Sequence, residues 1–186
     1  MKRFAIIVLG LCLVAVTASA DVESGPKVGG TATPFKVFAV TDVADGKEVG
    51  KDVEIVKDRA KLPTAYVFVN ADKFTRPAAR YLKKLDEKAD TIDDKAAVVV
   101  VWVHGDAAKS KDYLPKIQKS LNFTRTALTV FDADASGPKE WALNADAAVT
   151  TVIVVEGKIK KTFAYDTLND TDAVKVLDEW KKSAGK

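Results

Sequence analysis

Eight consecutive apolar residues in the middle of the chain constrain its fold more than any other feature. The run Ala96–Val103 contains only alanine, valine and tryptophan, and four valines stand side by side at 98–101. β-Branched residues favour strands, and a strand without a polar residue on either face needs cover on both sides. The run therefore predicts a central strand of a parallel sheet, with Val98–Val101 among the most buried residues of the chain.

The segments around this strand alternate between strand-like and helix-like patterns. Asp45-Gly46 predicts a hairpin turn. The charged residues 50–61 predict an irregular or short helical surface segment. The predicted strands are Phe35–Val40, Thr64–Val69, Ala96–Val103, Ala127–Phe131, Thr151–Val155 and Ile159–Tyr165. The predicted helices are Thr75–Ala89, Lys109–Leu121, Pro138–Leu143 and one that begins at Thr171. This order favours an α/β fold, in which a mixed central sheet is flanked by helices and carries an N-terminal β-hairpin.

The first twenty residues have the pattern of a secretory signal peptide. Two basic residues precede the apolar run Phe4–Val16, and small residues stand at Ala18 and Ala20. An apolar run of about 13 residues is too short to span a bilayer and is typical of a signal peptide core. We therefore expect cleavage after Ala20 and export to the periplasm or the exterior. The domains that follow are an extended, weakly ordered lead-in over 21–33 and one folded domain over 34–186.

Sulfur is confined to this N-terminal segment, because the only cysteine is Cys12 and the only methionine is Met1. A lipoprotein anchor needs a small residue before the cysteine, but Leu11 stands there. Cleavage after Ala20 is therefore the favoured prediction. The mature chain would then have no thiolate nucleophile and no disulfide. Its net charge would be 27 − 26 = +1 with the charges interspersed, which argues against a nucleic-acid partner. No second apolar run long enough to span a membrane follows.

Several short segments, taken in order, resemble those of one protein superfamily. They are Pro34-Phe35, Thr64–Val69, Phe74–Arg80, Asp132-Ala-Asp134, and Thr150–Val154 followed by Gly157. In this order the chain resembles the thioredoxin-like superfamily, in its redoxin or alkyl-hydroperoxide-reductase branch, from about Gly25 to Trp180. The resemblance implies a thioredoxin-like fold whose reactive site lies where a strand meets the start of a helix, since a helix N-terminus stabilises a thiolate.

The residues that the family uses for thiol chemistry are missing at the matching positions. The Cys-Gly-Pro-Cys motif of a thioredoxin falls on Thr75-Arg76-Pro77-Ala78, and the Pro-x-x-x-Thr-x-x-Cys motif of a peroxiredoxin falls on Ala71, Thr75 and Ala78. The family's cis-proline falls on Thr150, where a trans bond is expected because a non-proline cis bond costs about 2.5–4 kcal/mol. The resemblance therefore implies the fold without its chemistry.

Four other side chains near this site have alternative interpretations. Thr75 suits an N-cap better than a nucleophile, which would need an adjacent base, and the only histidine is His104. Arg80 fits a solvated helix arginine better than an anion-binding site. Asp132 and Asp134 match the start of a calcium loop, but Leu143 stands where the final glutamate should be. We expect no cofactor and no metal. Glycosylation sequons begin at Asn122 and Asn169, and their use depends on the host.

Three functions from different classes remain. The favoured one is an exported, non-catalytic protein that binds a protein or peptide at the former active-site face, formed by Phe74–Arg80, His104 and Val149–Thr151. The alternative is a redoxin-type thiol-disulfide oxidoreductase or antioxidant helper that depends on a partner's cysteine. A purely structural role in the cell envelope is a third possibility. The absence of a nucleophile favours the first.

Overall fold

Seven strands form one sheet in the computed structural model, which describes residues 22–43 and 46–186. The strands are β1 (Val37–Thr41), β2 (Glu48–Val53), β3 (Thr64–Asn70), β4 (Ala97–Val103), β5 (Thr126–Val130), β6 (Val149–Val155) and β7 (Lys158–Tyr165). The helices are α1 (Ile55–Asp58), α2 (Arg76–Lys88), α3 (Ala107–Leu121) and α4 (Asp172–Ser183). The predicted signal peptide and Asp45 of the predicted turn lie outside the described residues.

The strand order is β2-β1-β5-β4-β3-β6-β7, so β4 lies at the centre of the sheet. It pairs in parallel with β3 on one side and with β5 on the other, whereas β6, β7 and the β1–β2 hairpin are antiparallel to their neighbours. Val98–Val101 are fully buried, as the sequence predicts. The mixed sheet, its flanking helices and the N-terminal hairpin confirm the predicted fold class.

Alternate residues of β4 enter two separate cores. Val98, Val100 and Trp102 belong to the core beneath α2, α3 and α4. Val99, Val101 and Val103 face the other side, where Trp141 packs against aromatic rings. The three long helices thus cover one face of the sheet, while the short α1 and irregular segments contribute the cover on the other. The predicted Pro138–Leu143 helix is only a 3₁₀ turn over Lys139–Trp141, which ends where Ala142 takes a positive φ of 44°.

The charged segment 50–61, predicted as an irregular or short helical surface, contains the short helix α1, but its first residues belong to the strand β2. β2 pairs antiparallel with β1 from Val53 back to Glu48 and lies at the edge of the sheet. An edge strand tolerates charged side chains because one of its sides and much of its surface stay in water. Gly50, with φ of 67°, interrupts the alternation that would have marked the strand.

The segment 22–32, called the N-terminal strap below, lies against the far end of the sheet. Gly29 N donates to Ile159 O at 2.8 Å, and Ile159 N donates to Gly30 O at 2.9 Å. Ser24 is buried, and its hydroxyl accepts a hydrogen bond from Asn144 N at 2.9 Å. The sequence predicts a weakly ordered lead-in here, whereas these bonds fix the strap to the sheet. No helix among the described residues is long and apolar enough to cross a membrane.

Candidate functional site

The start of α2 has the geometry that the sequence predicts. Thr75 is the N-cap residue, with extended backbone angles of −132° and 170°, and α2 begins at Arg76 with Pro77 in its first turn. Thr75 is exposed, while Ala78, one turn later, is 1% exposed. The Thr75 side chain makes no capping hydrogen bond, so its role as N-cap is a matter of backbone geometry alone.

Neither Thr75 nor Arg80 has the partners that a catalytic or anion-binding role would require. Within the described residues, no hydrogen bond joins the Thr75 hydroxyl to a histidine or carboxylate, so no base activates it. Arg80 Nη2 lies 3.5 Å from Asp170 Oδ1, and the two side chains are 67% and 83% exposed. An ion pair in so much water contributes little to stability. Arg80 is therefore a solvated helix arginine.

The start of β6, at the position matched to the cis-proline, is closed. Val149, Thr150 and Thr151 are all buried, and each pairs with β3 on one side and β7 on the other. No cis peptide bond occurs among the described residues. The sequence predicts a binding surface at these residues, but their side chains are enclosed by sheet pairing and packing.

Two buried pairs of hydroxyl groups cover the start of β6, one pair on each face of the sheet. Thr151 Oγ1 lies 2.6 Å from the hydroxyl of Tyr81 on α2. Thr150 Oγ1 lies 2.7 Å from Ser24 Oγ in the N-terminal strap. Burial raises the pKa of the Tyr81 hydroxyl well above its usual value, so it stays protonated and able to donate. A peptide therefore has no open backbone at the start of β6.

An open groove lies beside the start of α2, between the β3–α2 connection and α3. It has a volume of about 410 Å³ and is lined by Phe74, Trp102 and Tyr113 together with polar residues. The Phe74 ring packs on Trp102 with centroids 4.7 Å apart, and Tyr113 lies 6.5 Å from the same indole. Trp102 is 3% exposed, whereas Tyr113 is 44% exposed. We call this feature the aromatic groove.

Tyr113 is not among the site residues that the sequence predicts. A single aromatic residue in a helix that also carries Lys109, Lys111 and Lys116 gives no periodic signal, and its neighbour Trp102 is distant in sequence. Only the packing of α3 beside β4 brings the two rings together. No local pattern in the sequence could have found it, because both its exposure and its neighbour follow from the fold.

His104 directly follows β4, at the end of the sheet where the sequence places it. Its φ is 62°, and its ring is partly buried. Burial lowers the pKa of the imidazole, while the charges of Asp72 and Asp134 oppose that shift and Lys73 adds to it. The ring is therefore neutral at pH 7, beside the aromatic groove to which Asp72 also contributes.

The two aspartates of the predicted calcium-like loop are engaged with protein partners. Asp132 Oδ2 accepts a hydrogen bond from Lys111 Nζ at 2.7 Å. Asp134 Oδ1 accepts from the backbone and hydroxyl of Ser136, which lowers the pKa of Asp134. Nowhere in residues 22–43 and 46–186 do three histidine, cysteine or acidic side chains cluster as a metal site would need.

The chain matches no known protein-family model, and no curated protein sequence is significantly similar to it. Its fold, in contrast, matches many solved structures. A candidate thiol:disulfide interchange protein DsbE from Chlorobium tepidum matches with a TM-score of 0.62 and 15% identity, over 86% of this chain and 98% of the other. AhpC from Enterococcus faecalis matches with 0.59 and 14%, over 85% and 92%.

A secreted thiol-disulfide isomerase from Corynebacterium glutamicum also matches, with a TM-score of 0.58 and 10% identity, over 83% of this chain and 85% of the other. Identities this low establish the fold and leave the activity open. A thioredoxin motif needs two cysteines, and this sequence has only Cys12. The chain therefore has a thioredoxin-like fold, and it lacks the cysteine pair of a thioredoxin site.

Proposed function

We propose that this chain is an exported, non-catalytic thioredoxin-like protein that binds a protein or peptide partner at the former active-site face. The observation that carries the proposal is the aromatic groove, which opens beside the start of α2. Phe74, the residue before the Thr75 position, forms one wall, and Trp102 and Tyr113 form the rest of the apolar surface. Exposed aromatic side chains bury a large area on contact and dominate many interfaces.

Polar groups at the rim of the groove suit a peptide rather than a purely apolar ligand. Asp72, Asp106 and Lys109 line it together with the hydroxyl-bearing Ser110. Asp106 caps α3 by accepting a hydrogen bond from Lys109 N at 3.1 Å, so its carboxylate is held in place. A rim with both charge signs around an apolar centre is the usual composition of a protein-binding surface.

The proposed surface extends from Phe74 to Arg80 and past His104, but the start of β6 contributes only its buried support. A partner would therefore approach from the side of α2 and α3. This differs from a peptide that pairs with open backbone beside the cis-proline of a thioredoxin. Export rests on the signal-peptide pattern of residues 1–20.

The alternative, a redoxin-type enzyme or antioxidant helper that uses a partner's cysteine, requires turnover without a thiol in the mature chain. Protein purified from the exported fraction should therefore show no insulin reduction and no peroxide turnover. Its intact mass should correspond to a chain that begins at Asp21. Measurable reductase activity in a sample of that mass would overturn the non-catalytic function.

The binding function is tested by the tryptophan fluorescence of the chain, to which Trp102 in the lining of the groove contributes together with Trp141 and Trp180. Candidate partners captured from the exported fraction with a C-terminally tagged full chain are titrated against the purified protein. Occupation of the groove should change the emission, and Tyr113→Ala should weaken binding by about tenfold or more, as loss of a central aromatic contact does. Val174→Ala on α4, another exposed apolar side chain, is the matched control. Equal loss in both variants, or no loss in either, would contradict the assignment.

A further inference from the structure

The outer edge of β7 is only partly covered. The strap pairs with this edge at Ile159 through Gly29 and Gly30, as a short added strand. It then leaves the backbone of the edge: Pro26 O accepts a hydrogen bond from the side-chain hydroxyl of Thr162 at 3.1 Å, and Ser24 crosses to Thr150 on β6. Among the described residues, no backbone hydrogen bond joins the strap to residues 160–164. Because β7 is the last strand of the sheet formed by residues 22–43 and 46–186, no strand of this described part of the chain lies on the outer side of that stretch.

A groove of about 570 Å³ follows this open edge, and it is lined by residues 22–27 of the strap, residues 161–165 of β7 and Lys175 of α4. Its charged residues are Lys27, Lys161, Lys175 and Glu23, which gives 3 − 1 = +2. We call it the edge groove. It lies at the opposite end of the strand order from the β1–β2 hairpin, and it shares no lining residue with the aromatic groove.

We propose that the edge groove binds an acidic peptide segment in extended conformation, which pairs with the outer edge of β7. An open strand edge presents unpaired N–H and C=O groups, and addition of a peptide strand is a common way to satisfy them. Five residues of strand span about 17 Å at 3.4 Å per residue, which suits a peptide of five or six residues. Acidic side chains of the peptide would meet the lysines on both walls.

Two of these lysines are placed so that they can bind such a peptide. Lys161 lines the groove, and its Nζ lies 6.0 Å from the centroid of the Phe163 ring. Lys175 Nζ lies 3.1 Å from Asp172 Oδ1 yet keeps 61% of its side chain exposed. An ammonium has three donors, so it can bind a second carboxylate while it holds the first.

The lysines of β7 argue against a second copy of this chain as the occupant of the edge groove. Lys158, Lys160 and Lys161 all stand on β7, and two such edges side by side would place like charges together. An acidic peptide would instead place negative charges beside these lysines. The charge of the edge thus disfavours self-association and selects an acidic partner.

The test uses the full chain, produced in an exporting host with a C-terminal tag, and an eight-residue capped peptide that alternates threonine and glutamate. Binding is followed by fluorescence anisotropy at low salt and by amide chemical shifts. The expected result is saturable binding with the largest shifts at residues 161–164. Lys161→Glu combined with Lys175→Glu should weaken it by about tenfold or more. Lys116→Glu combined with Lys119→Glu, on exposed positions of α3, should leave it unchanged.

Two further peptides separate backbone pairing from charge alone. The peptide with lysine in place of glutamate should not bind, and the glutamate peptide N-methylated at alternate residues should lose binding because it cannot complete the ladder. Equal affinity of the N-methylated peptide would overturn strand addition. Shifts centred on the aromatic groove, or a concentration-dependent dimer that masks residues 161–164, would overturn the edge groove as the site.

Discussion

The start of α2 and the start of β6 differ in how much surface they leave open to a partner. Thr75 and Arg76 are exposed, and the first turn of α2 keeps the backbone geometry of a helix start. Thr150 and Thr151, in contrast, are enclosed by two sheet neighbours and two hydroxyl pairs. In a thioredoxin these two elements together form the reactive site. Here the start of α2 is open but carries no cysteine, while the start of β6 is enclosed.

This difference indicates what each change removes. Replacing cysteine at an exposed helix start removes a nucleophile and leaves the shape, because side-chain identity there does not determine the backbone. Enclosing β6 removes a binding edge, because backbone groups that pair within the sheet cannot pair with a substrate. Restoring sulfur should therefore restore redox chemistry at α2 without restoring substrate binding at β6.

The largest expected effect is that of the double change Thr75→Cys and Ala78→Cys. The two positions lie one turn apart at a helix start, so the thiols should form an intramolecular disulfide, and the pKa of the first should fall about one unit below 8.5. Insulin reduction should remain slow, because β6 offers no open backbone. Alkylation rates against pH, thiol counting and the insulin assay measure these three results.

The single variant Thr75→Cys is the control for this experiment, since it has the helix-start thiol but no partner for a disulfide. A double variant that cannot form the disulfide would mean that the motif is placed wrongly on this sequence. Fast insulin reduction would mean that the closed β6 does not limit substrate access, which would remove the contrast between the two regions.

A smaller effect is expected from Gly25→Ala, which tests how the strap closes β6. Gly25 has φ of 102°, and a Cβ there would clash with Thr162 Cγ2 and lie 3.1 Å from Thr150 Cγ2. Strain and overpacking together should lower the free energy of unfolding by about 2–3 kcal/mol. Urea unfolding measures the loss, and hydrogen exchange at Asn144, whose N–H bonds Ser24, reports whether the strap detaches.

Gly29→Ala separates backbone strain from the clash. Gly29 has a similar φ of 86°, but a Cβ there would meet no atom within 4 Å. It should cost about 1 kcal/mol, which is the backbone penalty alone. If both variants cost the same, the strap does not pack tightly on β6 and the start of that strand is open after all.

The central elements of the fold could be predicted well because buried strands and helices carry an apolar pattern among residues that are close in sequence. The valines of β4 and the apolar spacing in α2 are visible within a short window, and both elements lie where they were predicted. The start of α2 with Thr75 as its N-cap residue was also predicted, since it follows from the strand–helix junction. These features depend on neighbours in sequence.

The features that the sequence did not reveal depend on contacts between distant residues. Ser24 and Thr150 are 126 positions apart, so nothing local indicates that the strap closes β6. The aromatic groove requires α3 to lie beside β4, and β2 is a strand because β1 pairs with it. An edge strand rich in charge and a single exposed Tyr113 carry no periodic pattern from which either could be predicted.

The smallest expected effect is on the titration of His104. This residue lies near the start of α2, the open one of the two regions compared above. Burial lowers its pKa below the usual 6.5, so the folded protein resists protonation more than the unfolded chain does. As pH falls below about 6.5, the unfolded chain binds the proton first and this contribution to stability is lost, until the folded pKa is also passed. Removing an opposing carboxylate with Asp72→Asn should lower the pKa further, and Lys73→Gln should raise it. Proton NMR measures this directly, because the chain has a single histidine. A pKa at or above 6.5 in the unmodified protein would mean that the ring is solvated and that this end of β4 is more open than its partial burial indicates.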